Sequence, residues 1–289
     1  KYRDDLHLYI IGDGDKRLSL EYMRDSLGLT DKVTFLGQRA NPFVYMDKMD
    51  AFVSTSRYEG QPLNIMEQNY YREIRQVFEE INQLDGYCAV VLRSACKHFC
   101  AGGQLEEIQS CSTPEGTNIV AGAACNCMSA IYSCKYPVIA SVHGKCIGAG
   151  IAIALSCDVI VASEDATFTL AEIKAGYIGA SEFLEMGIPR RLARYYIFTG
   201  ETMTVQQWKD WGAVLEVVPR DQLEAKSNEV AAKIAEQSPL ALVYFKEAMN
   251  INDDERLAEK YMLESTYTTK YNASEDCKET FRAFKERRK

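Results

Sequence analysis

Two stretches decide the fold of this chain: KHFCAGGQL at Lys97–Leu105 and PVIASVHGKCIGAG at Pro137–Gly150. The second stretch begins with the apolar run Val138–Val142, which is typical of a buried strand. It ends in the small residues Gly148-Ala-Gly150, and the apolar segment around them predicts a helix from about Ala149 to Leu155. Both stretches therefore place small residues where the backbone can approach a ligand closely.

A pair of such segments suits the stabilisation of an oxyanion. A carbonyl oxygen becomes negatively charged when a proton leaves the neighbouring α-carbon or when a nucleophile adds at the β-carbon of an enoyl compound. Two fixed backbone N–H groups stabilise that oxygen without bringing a second charge into the site. The alternative interpretation is that these small residues only permit tight turns.

Further motifs extend the pattern along the chain, and with them residues 68–289 resemble the crotonase (enoyl-CoA hydratase/isomerase) superfamily. The resemblance implies an α/β fold, the ββα spiral of that superfamily, with a helical C-terminal region that mediates trimer contacts. Besides the two stretches above, it rests on Leu155–Asp158, Ala166–Ile173, Phe198–Met203, Trp211–Val214, Ser238–Ala241, Ala273–Asp276 and Phe281–Arg288.

The resemblance also implies a role for the small residues. The backbone N–H groups of Gly103 and Ala149 are the expected oxyanion donors, and coenzyme A enters as the thioester of the substrate, so we predict no separate cofactor. Further substrate contacts are expected at Ala101, Gly102, Gly148, Phe284 and Lys285. The basic C-terminal run has an alternative explanation, because cations also complement the dipole at the end of any helix.

Glu172 is the candidate acid/base. It follows the strand-like run Ala166–Leu170 and could face an apolar pocket, where burial would raise its pKa and make it a suitable base. The alternative is a surface carboxylate at the end of a strand. Many hydratases of the resembled family carry a second glutamate at the position that Ala152 occupies here.

The loss of that second glutamate shifts the predicted reaction from hydration towards isomerisation. A single carboxylate can carry a proton from C2 to C4 of an enoyl thioester. Glu182 and Glu185 lie in ASEFLEMG and could supply a second group, although both are also compatible with solvent-exposed positions on a helix.

Residues 1–67 show a different sequence pattern from the rest of the chain. Strand-like runs at Leu6–Ile11, Lys32–Leu36 and Ala51–Ser54 alternate with a helical pattern at Arg17–Leu27. Together with Glu59–Glu67 they resemble part of the C-terminal nucleotide-sugar domain of GT-B glycosyltransferases of the family-4 type. In that family the two glutamates contact the donor, but the sequence shows no acceptor-binding domain. We therefore expect a partial Rossmann-like α/β lobe without transferase chemistry.

The amino-acid composition of the chain argues against several classes of function. Of 289 residues, 33 are Lys or Arg and 41 are Asp or Glu, so the net charge of −8 argues against nucleic-acid binding. No apolar run reaches the roughly 18 residues that cross a membrane, and no signal peptide is evident. We predict that the ten cysteines are buried free thiols of a cytoplasmic protein. Cys125 and Cys127 lack a second pair or a nearby histidine, so we predict no metal site.

These patterns predict three parts: a transferase-like lobe at residues 1–67, a crotonase-like core at 68–230 and a helical region at 231–289, which mediates a homotrimer or a dimer of trimers. The leading hypothesis is an acyl-CoA hydratase/isomerase. The alternatives are a fragment of a nucleotide-sugar glycosyltransferase and a catalytically inactive, truncated crotonase scaffold. The segment Leu63–Glu67 fits both resembled families, which places the junction there.

Overall fold

The computed structural model describes residues 8–11, 17–37, 65–66, 68–103, 113–252 and 257–286. The chain divides into two compact units, Lys1–Thr55 and Ser56–Lys289. The predicted boundaries at residues 67 and 230 were drawn from sequence motifs and stay predictions. Each unit has its own sheet structure.

The first unit contains a parallel pair of strands joined by a helix. Strand β1 (Leu8–Ile11) pairs with β2 (Val33–Gly37), and helix α1 (Arg17–Ser26) connects them. The parallel pairing and the intervening helix agree with the expected α/β lobe. The third strand predicted for this region, Ala51–Ser54, lies outside the described residues.

The second unit holds most of the secondary structure. Its strands are β3 (Ile65–Met66), β4 (Val90–Arg93), β5 (Gly102–Gly103), β6 (Val138–Val142), β7 (Lys145–Ile147), β8 (Val159–Ser163), β9 (Thr167–Thr169), β10 (Thr202–Thr204) and β11 (Glu216–Val218). Its helices are α2 (Gln68–Ile81), α3 (Pro114–Tyr132), α4 (Ala149–Leu155), α5 (Glu172–Ala175), α6 (Ser181–Gly187), α7 (Arg190–Thr199), α8 (Val205–Asp210), α9 (Leu223–Ala235), α10 (Pro239–Asn252), α11 (Leu257–Asn272) and α12 (Glu275–Lys285).

The central sheet is parallel and has the strand order β11-β8-β6-β4. All five residues of β6 are buried, as its continuous apolar sequence predicts for a strand covered on both faces. A smaller sheet has the order β10-β9-β7, in which β9 is parallel to β7 and antiparallel to β10. This mixed α/β architecture confirms the predicted fold class.

Strand β3 is short but occupies a decisive position. It pairs in parallel with β5, so that Ile65 lies opposite Gly102 and Met66 opposite Gly103. The first of the two glycine-containing stretches therefore has a neighbouring strand that comes from the segment just before α2.

The core of the second unit is built around large side chains from several elements. Trp208 on α8 is fully buried and stacks on Phe168 of β9, with ring centroids 3.7 Å apart. Thr204 starts α8 with a capping box, in which its hydroxyl accepts from the Gln207 N–H and the Gln207 side chain accepts from the Thr204 N–H. The cap fixes the helix that delivers the indole to the core.

The C-terminal region is helical, as predicted. Helix α11 packs against α3, and α12 packs against α5. Helix α10 instead exposes a set of large apolar side chains, each at least 59% exposed: Leu240, Tyr244, Phe245, Met249 and Ile251.

Candidate active site

The two glycine-containing stretches lie side by side. The Ile147 N–H donates to the Cys100 carbonyl at 2.9 Å, and the Cys100 N–H donates to the Lys145 carbonyl at 3.2 Å. A Cβ atom on Gly150 would stand 2.7 Å from the Cys100 Cβ, which is closer than carbon atoms pack. Glycine at position 150 therefore permits this approach of the two backbones.

The start of α4 presents free backbone donors next to this contact. Gly148 precedes the helix with φ of 52°, a left-handed conformation that favours glycine, and donates its own N–H to the Thr169 carbonyl at 3.0 Å. The next N–H, that of Ala149, has no acceptor among the described residues. An N–H group in the first turn of a helix has no intrahelical partner and is available to a ligand.

Glu172 places its carboxyl group against this helix start. It is the first residue of α5, directly after the segment that leaves β9. A Cβ atom on Gly148 would overlap Oε1 of Glu172 and stand 3.3 Å from its Cδ, so the carboxyl group lies directly over the Gly148 α-carbon. The candidate acid/base is thus next to the peptide that carries the Ala149 N–H.

One oxygen atom of the Glu172 carboxyl group has no hydrogen-bond partner within the described part of the chain. This atom, Oε2, is buried. Burial raises the pKa of Glu172 to about 8, because a charged carboxylate is poorly solvated there. Buried unpaired carboxyl groups are costly to a fold and concentrate at functional sites.

Tyr71 also contributes to the surroundings of Glu172, and the sequence analysis missed it. Tyr71 lies on α2 and is 5% exposed. Burial and the electrostatic effects of Cys100, Tyr177, Cys127 and Glu172 raise its pKa well above the usual value. A signal was present, because Tyr71 shares the helical spacing of Ile74 and Phe78 on the buried face of α2.

The two candidates for a second carboxyl group have different environments. Glu185 forms ion pairs with Arg190 at 3.5 Å and Arg194 at 3.3 Å. Glu182 lies beside Ser181, with its Oε2 3.4 Å from the serine hydroxyl. Ala152 is 1% exposed in α4, so this position brings no polar group to the site.

The structure describes the remaining predicted site residues to different extents. Gly102 is buried in β5 and Ala101 precedes it half-buried, both beside the second glycine-containing stretch. Phe284 and Lys285 belong to the last turn of α12, but their side chains are outside the described part. Glu59 and Glu67 also lie outside it. The contacts expected of these four residues stay predictions.

The cysteines agree with the predicted free thiols. Nine are described, all are free, and six of them are buried, including Cys125 and Cys127. Burial raises the pKa of the Cys127 thiol to about 12. No helix among the described residues is both long enough and apolar enough to cross a membrane.

Comparison with known proteins identifies the second unit. Residues 58–289 match the family model described as enoyl-CoA hydratase/isomerase. The chain belongs to that family. Residues 1–72 match the model described as glycosyl transferases group 1. The two matches overlap at residues 58–72, which includes the segment that the sequence analysis assigned to both families.

Two relatives of the enoyl-CoA hydratase/isomerase chain share one description: (7aS)-7a-methyl-1,5-dioxo-2,3,5,6,7,7a-hexahydro-1H-indene-carboxyl-CoA hydrolase. The Rhodococcus jostii protein is 32% identical over 221 residues, covering 76% of this chain and 85% of the relative. The Mycobacterium tuberculosis protein is 38% identical over 187 residues, covering 64% and 74%. A crystal structure of an enoyl-CoA hydratase from Mycobacterium avium subsp. paratuberculosis superimposes with a TM-score of 0.68 at 26% identity, covering 78% and 89%.

Proposed function

We propose that the chain acts on an acyl-CoA thioester through an enolate, with Glu172 as the acid/base and the N–H groups of Gly103 and Ala149 as oxyanion donors. One observation carries the proposal: the buried carboxyl group of Glu172, whose Oε2 has no hydrogen-bond partner among the described residues, lies against Gly148 and next to the N–H of Ala149. Membership of the acyl-CoA enzyme family supplies the substrate class.

The proposed reaction moves a proton and leaves the atom count of the thioester unchanged. The Glu172 carboxylate removes a proton from C2, and the electron pair moves onto the thioester oxygen, which the two N–H groups stabilise. The neutral carboxyl group then returns the proton at C4, which shifts the double bond. Since position 152 is a buried alanine, the site lacks the second glutamate that would activate water, and isomerisation is favoured over hydration.

A second candidate is hydrolysis of a bicyclic diketone that carries a CoA thioester. It is favoured by the two relatives named as hydrolases of such a compound, at 32% and 38% identity. The N–H groups of Gly103 and Ala149 would stabilise the oxyanion that forms when water adds to a carbonyl group of such a substrate.

A panel of three thioesters separates these reactions. A 3-enoyl-CoA, crotonyl-CoA and the dioxo-indene-carboxyl-CoA named above would be incubated with the wild type, and products identified by mass spectrometry. We expect conversion of the 3-enoyl-CoA to the 2-enoyl isomer, and only slow addition of water to crotonyl-CoA. Hydrolysis of the dioxo-indene-carboxyl-CoA, with no double-bond shift in the 3-enoyl-CoA, would favour the second candidate.

The variant Glu172→Gln tests the base in whichever reaction is observed. Glutamine keeps the shape of the side chain but cannot accept the proton, so we expect a loss on the order of 10²–10⁴-fold in kcat with thioester binding nearly unchanged. Glu185→Gln, on the surface beside two arginines, is the matched control and should retain the wild-type rate. A wild-type rate in Glu172→Gln would overturn the assignment, and no turnover of any thioester by the wild type would favour the inactive scaffold.

We also propose that this chain assembles as a homotrimer or a dimer of trimers through its helical C-terminal region. The exposed apolar side chains of α10 support this, since a contiguous set of that kind is rarely left in water. Sedimentation equilibrium should give the mass of three or six chains, and Phe245→Asp should lower it to that of one.

A further inference from the structure

The helix that carries Glu172 is too short to hold its own orientation. Helix α5 has four residues, a single turn, and isolated turns are unstable because nucleation outweighs one hydrogen bond. It ends at Gly176, which has φ of 76° and turns the chain into a loop that reaches Ser181. The position of the Glu172 carboxyl group therefore depends on the packing of α5 against α7 and α12 and on what holds residues 176–181.

Two side chains of the C-terminal helices hold the first part of this loop. Cys277 of α12 donates its thiol to the Gly176 carbonyl at 3.0 Å. Thr268 of α11 is fully buried and donates its hydroxyl to the Ile178 carbonyl. Each contact joins the loop to a residue at least 90 positions later in the chain.

The end of the loop is held by a pair of carboxyl groups. Glu264 of α11 is 9% exposed and accepts the Ser181 N–H at 3.3 Å on Oε1 and 3.4 Å on Oε2. The Ser181 hydroxyl lies between the carboxyl groups of Glu264 and Glu182. Both carboxyl groups therefore lie within hydrogen-bond reach of one hydroxyl group. That hydroxyl has a single proton and can donate to only one of the two carboxyl groups at a time.

No cation of the described residues neutralises this pair. Helix α4, which packs on α6, has no titratable side chain, and the α7 residues Arg190 and Arg194 pair with Glu185 instead. The phenol of Tyr261 also faces Glu264, and burial raises the pKa of Tyr261 well above its usual value, so this phenol is neutral. Two adjacent carboxyl groups in such surroundings cannot both be ionised at neutral pH. Burial and the neighbouring Glu182 raise the pKa of Glu264 to about 9.

We propose that Glu182 and Glu264 share one proton, and that this pair positions Glu172 by holding the loop of residues 176–181. Glu264 is thus a positioning residue that acts through Ser181 and the loop. The inference rests on the proposed function, because it assumes that Glu172 is the base. When the shared proton is lost, the two carboxylates repel each other, and the start of α6, which carries Glu182, is displaced from Glu264.

The pH dependence of the rate gives the test. In the wild type, the rate should rise with pH as Glu172 loses its proton, around pH 8, and should fall about tenfold per unit above pH 9 as the pair loses its own. Glutamine in Glu264→Gln donates to Glu182 and accepts from Ser181 without titrating. We expect the alkaline fall to move up by at least one pH unit in this variant.

A second variant separates positioning from simple filling of space. Glu264→Ala removes both hydrogen bonds and should lower kcat on the order of 10²-fold through misplacement of the base, with the loss largely recovered in Glu264→Gln. Glu185→Gln is the control on the same helix and should keep the wild-type profile. If the alanine variant does not fold, as judged by circular dichroism, the profile of the glutamine variant decides alone.

The outcomes distinguish this inference from the proposed function. An alkaline fall that stays at the same pH in Glu264→Gln, or a glutamine variant as impaired as the alanine variant, overturns the positioning role. A wild-type rate in Glu172→Gln overturns the base while the shift of the alkaline fall is still measurable. If Glu172→Gln keeps the wild-type rate and Glu264→Gln leaves the alkaline fall at the same pH, both the base and the positioning role are overturned.

Discussion

Helices α1 and α4 show how differently the two units use apolar residues. Helix α1 has ten residues and buries none of them, with Leu18 80% and Tyr22 78% exposed. Helix α4 has seven residues and buries five. Burial stabilises by roughly 25 cal/mol per Å² of apolar surface, so the second helix is fixed by its surroundings and the first is not. A helical pattern in the sequence does not reveal whether a partner surface exists.

The largest expected difference between the units is in the core. Trp208→Ala removes a fully buried indole that stacks on Phe168 and should destabilise the second unit by about 3–5 kcal/mol. Phe198→Ala, at a residue 72% exposed in the same unit, is the control and should change the free energy of unfolding by less than about 0.5 kcal/mol. Urea denaturation followed by circular dichroism measures both, and equal effects would contradict the packing described for α8.

The next prediction concerns glycine next to the acid/base. Gly148→Ala would push a methyl group into the Glu172 carboxyl group, so we expect kcat to fall on the order of 10²-fold. Gly212 has a similar left-handed conformation, φ of 84°, but its missing Cβ would meet nothing within 4 Å. Gly212→Ala should therefore share the backbone strain, about 1 kcal/mol, and leave the rate unchanged. Equal losses of activity in both would show that strain alone is responsible.

A smaller effect is expected on stability at alkaline pH. The pKa of Glu172 is near 4.5 in an unfolded chain and raised to about 8 in the fold, so the folded state holds the proton more tightly between these values. Stability should therefore fall as pH rises from about 4.5 to 8 and level off above that. Glu172→Gln removes this loss and should be more stable than the wild type at pH 8 by about 1–3 kcal/mol. Chemical denaturation at pH 5 and pH 8 gives the comparison; no gain at pH 8 would contradict the buried state of this carboxyl group.

The smallest effect is expected in the first unit. Leu18→Ala should change the free energy of unfolding by less than about 0.5 kcal/mol, since the side chain is 80% exposed. Limited proteolysis should also cut the first unit before the second, because a small unit with an uncovered helix opens more readily. Cleavage that begins within residues 70–289 while residues 1–55 stay intact would reverse the comparison.

The elements that sequence predicted best are those with uninterrupted local patterns. Strand β6 and helix α4 have the predicted bounds, because a continuous apolar run and a glycine-started helix are both local signals. Helix α2 spans Gln68–Ile81, whereas the amphipathic pattern of the sequence alone predicts a helix over Tyr70–Leu84. Its ends depend on polar residues that tolerate either conformation, and helix termini are poorly specified by pattern.

The residues of the candidate site also differ in how well local sequence patterns predict them. Glu172 and the glycine-containing stretches were predicted because each belongs to a motif. Glu264 was not, since its role depends on a contact with Ser181 across 83 positions of sequence. The surface ion pairs of Glu185 likewise depend on where α7 lies relative to α6. Long-range pairing of polar side chains leaves no periodic trace in the sequence.

Strand β3 constrains how the segments that match the two family models are joined in this chain. Its residues Ile65 and Met66 lie in the region that both family models match, and they pair with Gly102 and Gly103. Because side chains alternate along a strand, gain or loss of one codon here would exchange the two faces of β3. Joins that add or remove one residue within β3 would therefore disrupt its pairing with β5. Only joins that keep the present number of residues are expected to persist. The tolerated position of such a join is decided by strand register and not by a flexible linker.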